Sequence, residues 1–251
     1  MRRLPVFADS LLLRCCIIAA AGFVCAGPAL LVGSRELILQ TMLGYAIIGA
    51  RQQGNAVFWQ IAAAAPGALS TFLLSDVVHS EMLQHGSLIW PRTGCIRKLA
   101  VRGIVRLAAA EGITWLLMGC MEIAAIAASG NGPLTAELAP RIAERSLAGM
   151  LSSAVYCLFG SLFEYAAAAQ AEAGIAALAA YMLSCIAAAA GTDCPALALV
   201  PAWWSFVPSL SLGQLPAWLA APATCGGICL LAMLALAAGI SIALADRLEL
   251  S

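Results

Sequence analysis

Two carboxylates, Glu111 and Glu122, stand inside a long apolar run near the middle of the chain. Eleven residues is close to three helical turns, so on a helix both face the same way. Ionisable groups at membrane depth ordinarily face a bundle interior or a pathway. In that setting the pair could relay protons in a carrier or attack a substrate in an intramembrane enzyme. The structural alternative puts Glu111 near the headgroups and makes Glu122 a hydrogen-bonded structural acid. An amide at position 122 would then substitute with modest loss, because it keeps hydrogen-bonding capacity.

Other chemistries lack their residues. A P-loop needs Gly-Lys-Ser/Thr, but the sole lysine, Lys98, follows Arg97 and precedes Leu99. His79 and His85 form no H-E-x-x-H, and no G-x-S-x-G serine accompanies them. The ten cysteines contain no C-x-x-C pair. Cys225 and Cys229, four apart, read as small packing residues, while Cys194 and Cys225 could meet and pair outside the membrane. No catalytic, cofactor-binding or metal-ligating set emerges. The net charge of zero points to no nucleic-acid partner.

The elements that must position these residues are membrane spans. The chain of 251 residues is 63% hydrophobic and 10% charged, with a mean hydropathy of +0.94. Globular domains carry roughly 25% charge, so this surface is not built to face water. The expected fold is all-α and polytopic, with about six transmembrane helices over residues 15–33, 55–75, 105–128, 146–165, 173–191 and 225–245. The basic start and first apolar run have the look of a signal peptide. Arg14 splits that run and no clear small-x-small cleavage site follows, so a retained first span is expected. Leu37–Ala50 is 14 residues long, ~21 Å as a helix. That is short of the ~30 Å hydrocarbon core, so it is expected to be interfacial or re-entrant. A polar loop is expected over 129–145, and a membrane-hugging outer loop before the sixth span, where Pro201, Pro208, Pro216 and Pro222 break the pattern.

Between the second and third spans lies the longest polar interruption, 75–98, with both histidines and the lysine. Ser80, Gln84 and Ser87 recur at helical spacing as a polar stripe, with Val78, Met82 and Ile89 on another side. Pro91 ends any helix there and Gly94 permits a turn. With six spans and an inward N-terminus, nine cations lie inside: Arg2, Arg3, Arg14, Arg92, Arg97, Lys98, Arg102, Arg106 and Arg247. Four lie outside: Arg35, Arg51, Arg141 and Arg145. That asymmetry places both termini and residues 76–103 in the cytoplasm.

Asp76, Glu81, Gly86, Pro91, Arg92, Gly94 and Lys98 together form a pattern that resembles the permease subunits of type-2 ABC exporters. The layout covers the whole chain, and the motif about 25 residues of it. Size and layout are also similar to the small permeases of bacteriocin or lantibiotic self-immunity exporters. Two departures stand out: no large extracellular domain, and the apolar stretch 37–50. The resemblance implies a short cytoplasmic coupling helix within 76–98, docked to a separate ABC ATP-binding subunit through Asp76, Glu81, Gly86, Arg92 and Gly94. ATP and magnesium would sit on that partner, with no cofactor in this chain. It further implies a second permease copy or homologous permease, a bacterial cytoplasmic membrane location, and export of a peptide, lipid-like or drug-like substrate between facing protomers. The first, second and fifth spans would line that route. The rival readings are a non-ABC carrier or an intramembrane enzyme using Glu111 and Glu122.

Overall fold

The computed structural model describes residues 11–32, 56–78, 80, 96–128, 132–167, 170–190, 200–202 and 223–248. Among them the secondary structure is entirely helical. The helices are α1 (Leu11–Val32), α2 (Ala56–Leu74), α3 (Ile96–Ala128), α4 (Gly132–Ala167), α5 (Gln170–Ala190) and α6 (Ala223–Leu248). Each covers one of the six apolar runs, and uninterrupted stretches of Ala, Leu and Ile are sufficient to start it.

Two helices reach further than hydropathy suggests. α3 begins at Ile96, so Arg97, Lys98, Arg102 and Arg106 are exposed on its first turns. α4 begins at Gly132, which corrects the expected polar loop over 129–145. Charge alone suggests a loop there. The segment is nevertheless rich in Ala, Leu, Glu and Arg, good helix formers, and its Pro133 falls in the first turn, where a missing N–H costs little. The segments Arg97–Ala128 and Arg145–Phe163 are long and apolar enough to cross a membrane.

Contacts fix the helix directions. Glu111 of α3 meets Ser153 of α4, and Glu122 meets Arg145, so these helices run antiparallel. Ser70 of α2 meets Glu111 while Val78 abuts Gly103, another antiparallel pair. Gly22 lies against both Pro66 and Met118, while Arg14 reaches Asp76 and Cys15 reaches Ala110. α1 is therefore antiparallel to α2 and parallel to α3. Gly67 and Gly174 pack against Tyr181 and Phe72, which turns α5 against α2. The first five helices thus alternate in direction. The expected apolar element Leu37–Ala50 lies outside the described residues, but the chain leaves α1 and enters α2 at the same end of the bundle.

The main core gathers Cys15, Ile18, Leu74, Val77, Val78, Leu107, Ala110, Cys157 and Leu158, with Leu234, Ala237 and Ala238 of α6 against it. A second cluster, Ala19, Trp115 and Met118, lies between α1 and α3. Around these cores the usual polarity is inverted. Val24, Leu116, Leu147, Leu183 and Leu236 are each more than half exposed, whereas Glu111, Glu122, Ser70, Thr71 and Ser161 are fully buried.

The α3–α4 seam closes where Gly149 accepts the face of Trp115, and a methyl at Gly149 would collide with that ring. A collision with a rigid indole cannot be relieved by a side-chain swing. Gly149→Ala should therefore cost about 1–3 kcal/mol, the usual range for overpacking. At Gly239 of α6 a methyl meets nothing within 4 Å. Gly239→Ala should be neutral or stabilising by up to ~1 kcal/mol from helix propensity. Thermal midpoints of the purified variants, compared with the parent, check the contrast.

Candidate functional site

α3 carries both carboxylates on one buried face, as their spacing predicts. Opposite them α4 presents Arg145, Ser153, Cys157 and Ser161. The last three stand four residues apart, which aligns them along one side of a helix.

Glu111 is held by neutral donors from two helices. The Ser70 hydroxyl donates to one carboxyl oxygen at 2.7 Å and the Ser153 hydroxyl to the other at 2.7 Å. The Cys157 thiol approaches at 3.4 Å, and Trp115 Nε1 donates to Ser153 at 3.1 Å. The carboxyl thus lies within the bundle, not among headgroups at its edge. A polar seam continues along α2 and α4, where Ser161 donates to the Ser75 carbonyl at 2.9 Å and to its own Cys157 carbonyl at 3.1 Å. Thr71 and Thr114 turn back onto carbonyls four residues earlier, the common way for a helix to satisfy a buried hydroxyl.

Glu122 has a different partner. Arg145 Nη1 donates to its two oxygens at 3.0 and 3.3 Å, with side-chain exposures of 8% for the arginine and 1% for the acid. Sequence reading counted Arg145 among outer-loop cations and so missed the pair. The residues are 23 positions apart, and only the helical extension of α4 brings them together. Glu122 is ion-paired within the bundle, so an amide in its place leaves a buried cation.

The two carboxylates are separated by about 16 Å of helix rise. Acid–base pairs that share one bond stand roughly 5–9.5 Å apart. Trp115 and Met118 fill the space between them. A cavity of about 270 Å³ opens on the α3–α4 surface between Gly112, Gly119, Ile142, Ser146, Leu147 and Met150, and neither carboxylate lines it. Among the described residues no three His, Cys, Asp or Glu side chains gather as a metal site.

At the opposite end of α3, Asp76 closes α2. Its carboxylate accepts from Arg14 Nη1 at 2.7 Å, and the same nitrogen donates to the Leu73 carbonyl at 3.0 Å. A further helical turn starts here, with the Ser80 N–H on the Asp76 carbonyl at 2.8 Å and the Ser80 hydroxyl on Val77 at 3.1 Å. Asp76 is thus bound within the chain. Glu81, Gly86, Arg92 and Gly94, both histidines, Cys194 and the Cys225 side chain lie outside what is described.

Removing one member of a buried ion pair strands the other, at about 3–5 kcal/mol. Glu122→Leu should lower the thermal midpoint sharply, whereas Glu122→Leu with Arg145→Met should recover most of the loss. Glu111→Gln, facing only neutral donors, should cost about 1 kcal/mol. Equal losses for Glu122→Leu and the double variant would show that the pair is not desolvated.

No protein-family model matches the chain, and comparison with curated proteins and with solved structures gave no match.

Proposed function

We propose that the chain is the membrane-spanning permease subunit of an ATP-driven exporter of the type-2 ABC kind, working with a separate ATP-binding subunit. The inverted polarity of the bundle supports a hydrocarbon environment: apolar side chains face outward and acids face inward. Two helices carry apolar segments long enough to span, and the backbones of α1, α2, α5 and α6 run to 22, 19, 21 and 26 residues, near the ~20 a span needs.

One observation carries the rest. The starts of α1 and α3 and the end of α2 share one end of the bundle, which collects Arg14, Arg97, Lys98, Arg102 and Arg106. The segment 76–98 leaves from that end. Cations concentrate on cytoplasmic faces, so this polar segment faces the compartment that holds ATP. The segment 76–98 would dock in the ATP-binding subunit, its helix through Glu81 and Gly86 and the turn after Pro91 through Arg92 and Gly94, with Asp76 at its root. A second copy or a homologous permease completes the transporter, and a peptide, lipid-like or drug-like substrate passes between the two. The membrane is the bacterial cytoplasmic membrane, with both termini inside.

A proton-coupled carrier is the second reading. With Glu122 committed to Arg145, Glu111 alone would serve it, since all its donors are neutral. Transport that follows a proton gradient and ignores ATP selects this reading.

Reporter fusions at Gly94, Asn131 and the C-terminus should read inside, outside and inside. An outside signal at Gly94 removes both the orientation and the docking. Co-purification of a tagged chain with an ATP-binding protein tests the partnership directly. Truncating one side of a buried charged contact can cost about 2–5 kcal/mol of binding. Glu81→Lys should therefore strip the ATP-binding subunit while leaving membrane insertion intact. Ser80→Ala should do much less, because its hydroxyl is spent on Val77. A normal complex with Glu81→Lys makes residues 76–90 an ordinary loop.

A further inference from the structure

The root of the docking segment is built into the bundle on two sides. Val77 and Val78, directly after Asp76, are buried in the main core beside Cys15. Behind them Gly103 of α3 approaches so closely that an added methyl would stand 3.1 Å from the Val78 Cα and carbonyl oxygen. On the other side Arg14 uses one nitrogen for both the Leu73 carbonyl and the Asp76 carboxylate. A cation on the last carbonyls of a helix is favourable in itself. Here it also ties the first turn of α1 to the residue from which the segment departs. Side-chain exposures of 26% and 41% make this a half-wet contact, too open to count as a major source of stability. Its geometry does more than its energy.

We infer that Arg14 is a positioning residue that couples the docking segment to α1, so that displacement of residues 76–80 by the partner moves α1 with them. This rests on the permease reading above. The neighbours have separate tasks: Gly103 lets α3 bear on the segment from behind, and the buried Val78 keeps the segment from swinging freely. The polar contacts of Arg14 join α1, the last turn of α2 and the root of the segment. The apolar packing of Cys15 and Ile18 beside the root slides more readily than a charge-assisted hydrogen bond with fixed geometry.

The test reads motion, not stability. Spin labels replace the exposed Leu12 of α1 and Ile175 of α5, with every cysteine except the buried Cys15, Cys157 and Cys185 changed to serine, in the complex with its ATP-binding subunit. In the parent, ATP should shift the Leu12–Ile175 distance by several ångströms. In Arg14→Gln the subunit should bind with affinity within about threefold of the parent, while the shift falls below about a third of its size. Arg14→Lys, which keeps the charge, should restore most of it. If Arg14→Gln does not fold, Arg14→Met keeps the apolar stem and removes the same contacts. A full shift in either uncharged variant, or no shift in the parent complex, overturns the inference and leaves the permease reading standing. If no ATP-binding protein binds the parent, that reading falls and this inference with it.

Discussion

Charge that has been taken out of water must find its counterpart within the chain, and this requirement organises the bundle. Arg145 and Glu122 are both sealed from solvent at the α3–α4 contact. Neither position tolerates its charge without the other, because desolvating one such ion in isolation costs several kcal/mol. The pair sets the register of the two helices. Once it is formed, Trp115 falls opposite Gly149 and Glu111 opposite Ser153. Small residues then let the backbones close, so one electrostatic constraint is expressed as a continuous seam.

Glu111 meets the same constraint by different means. Two hydroxyls and a thiol surround it, drawn from α2 and α4. These groups hold three helices at one level, and Ser161 on Ser75 extends the hold toward the end of α2. Polar groups therefore mark where the interior helices cross, while aliphatic residues cover the outside. The result is a bundle whose specificity comes from hydrogen bonds and whose surface carries little of it.

The sequence made the helices legible because their apolar runs are long and nearly free of charge. It also made legible that Glu111 and Glu122 share a face, since that follows from helical period alone. Over 132–145 charge alone suggests a loop, whereas the residue types favour the helix that forms. Arg145 was consequently counted as an outer cation, and its partner 23 residues away was invisible. The Ser153–Cys157–Ser161 spacing was a readable signal of a polar seam, but small residues on a span read first as packing. Asp76 was picked out for an external partner, and its contact with Arg14, 62 residues distant, depends on the directions of α1 and α2. Long-range pairings of this kind follow from topology, which hydropathy does not encode.

In the membrane-spanning chain proposed above, the α3–α4 pair would also bear on how the bundle is inserted. A lone charge is opposed by about 2.5–3.5 kcal/mol at the centre of an inserting helix on translocon-based scales, and by less near an end, where Glu122 of α3 and Arg145 of the segment Arg145–Phe163 stand. α3 delivered by itself would expose Glu122 to lipid until α4 emerged. The residues separating Glu122 from Arg145 span only the tip of a hairpin. Insertion of such a chain would be eased if α3 waited for α4, so that the two entered the bilayer with their charges already mutually cancelled.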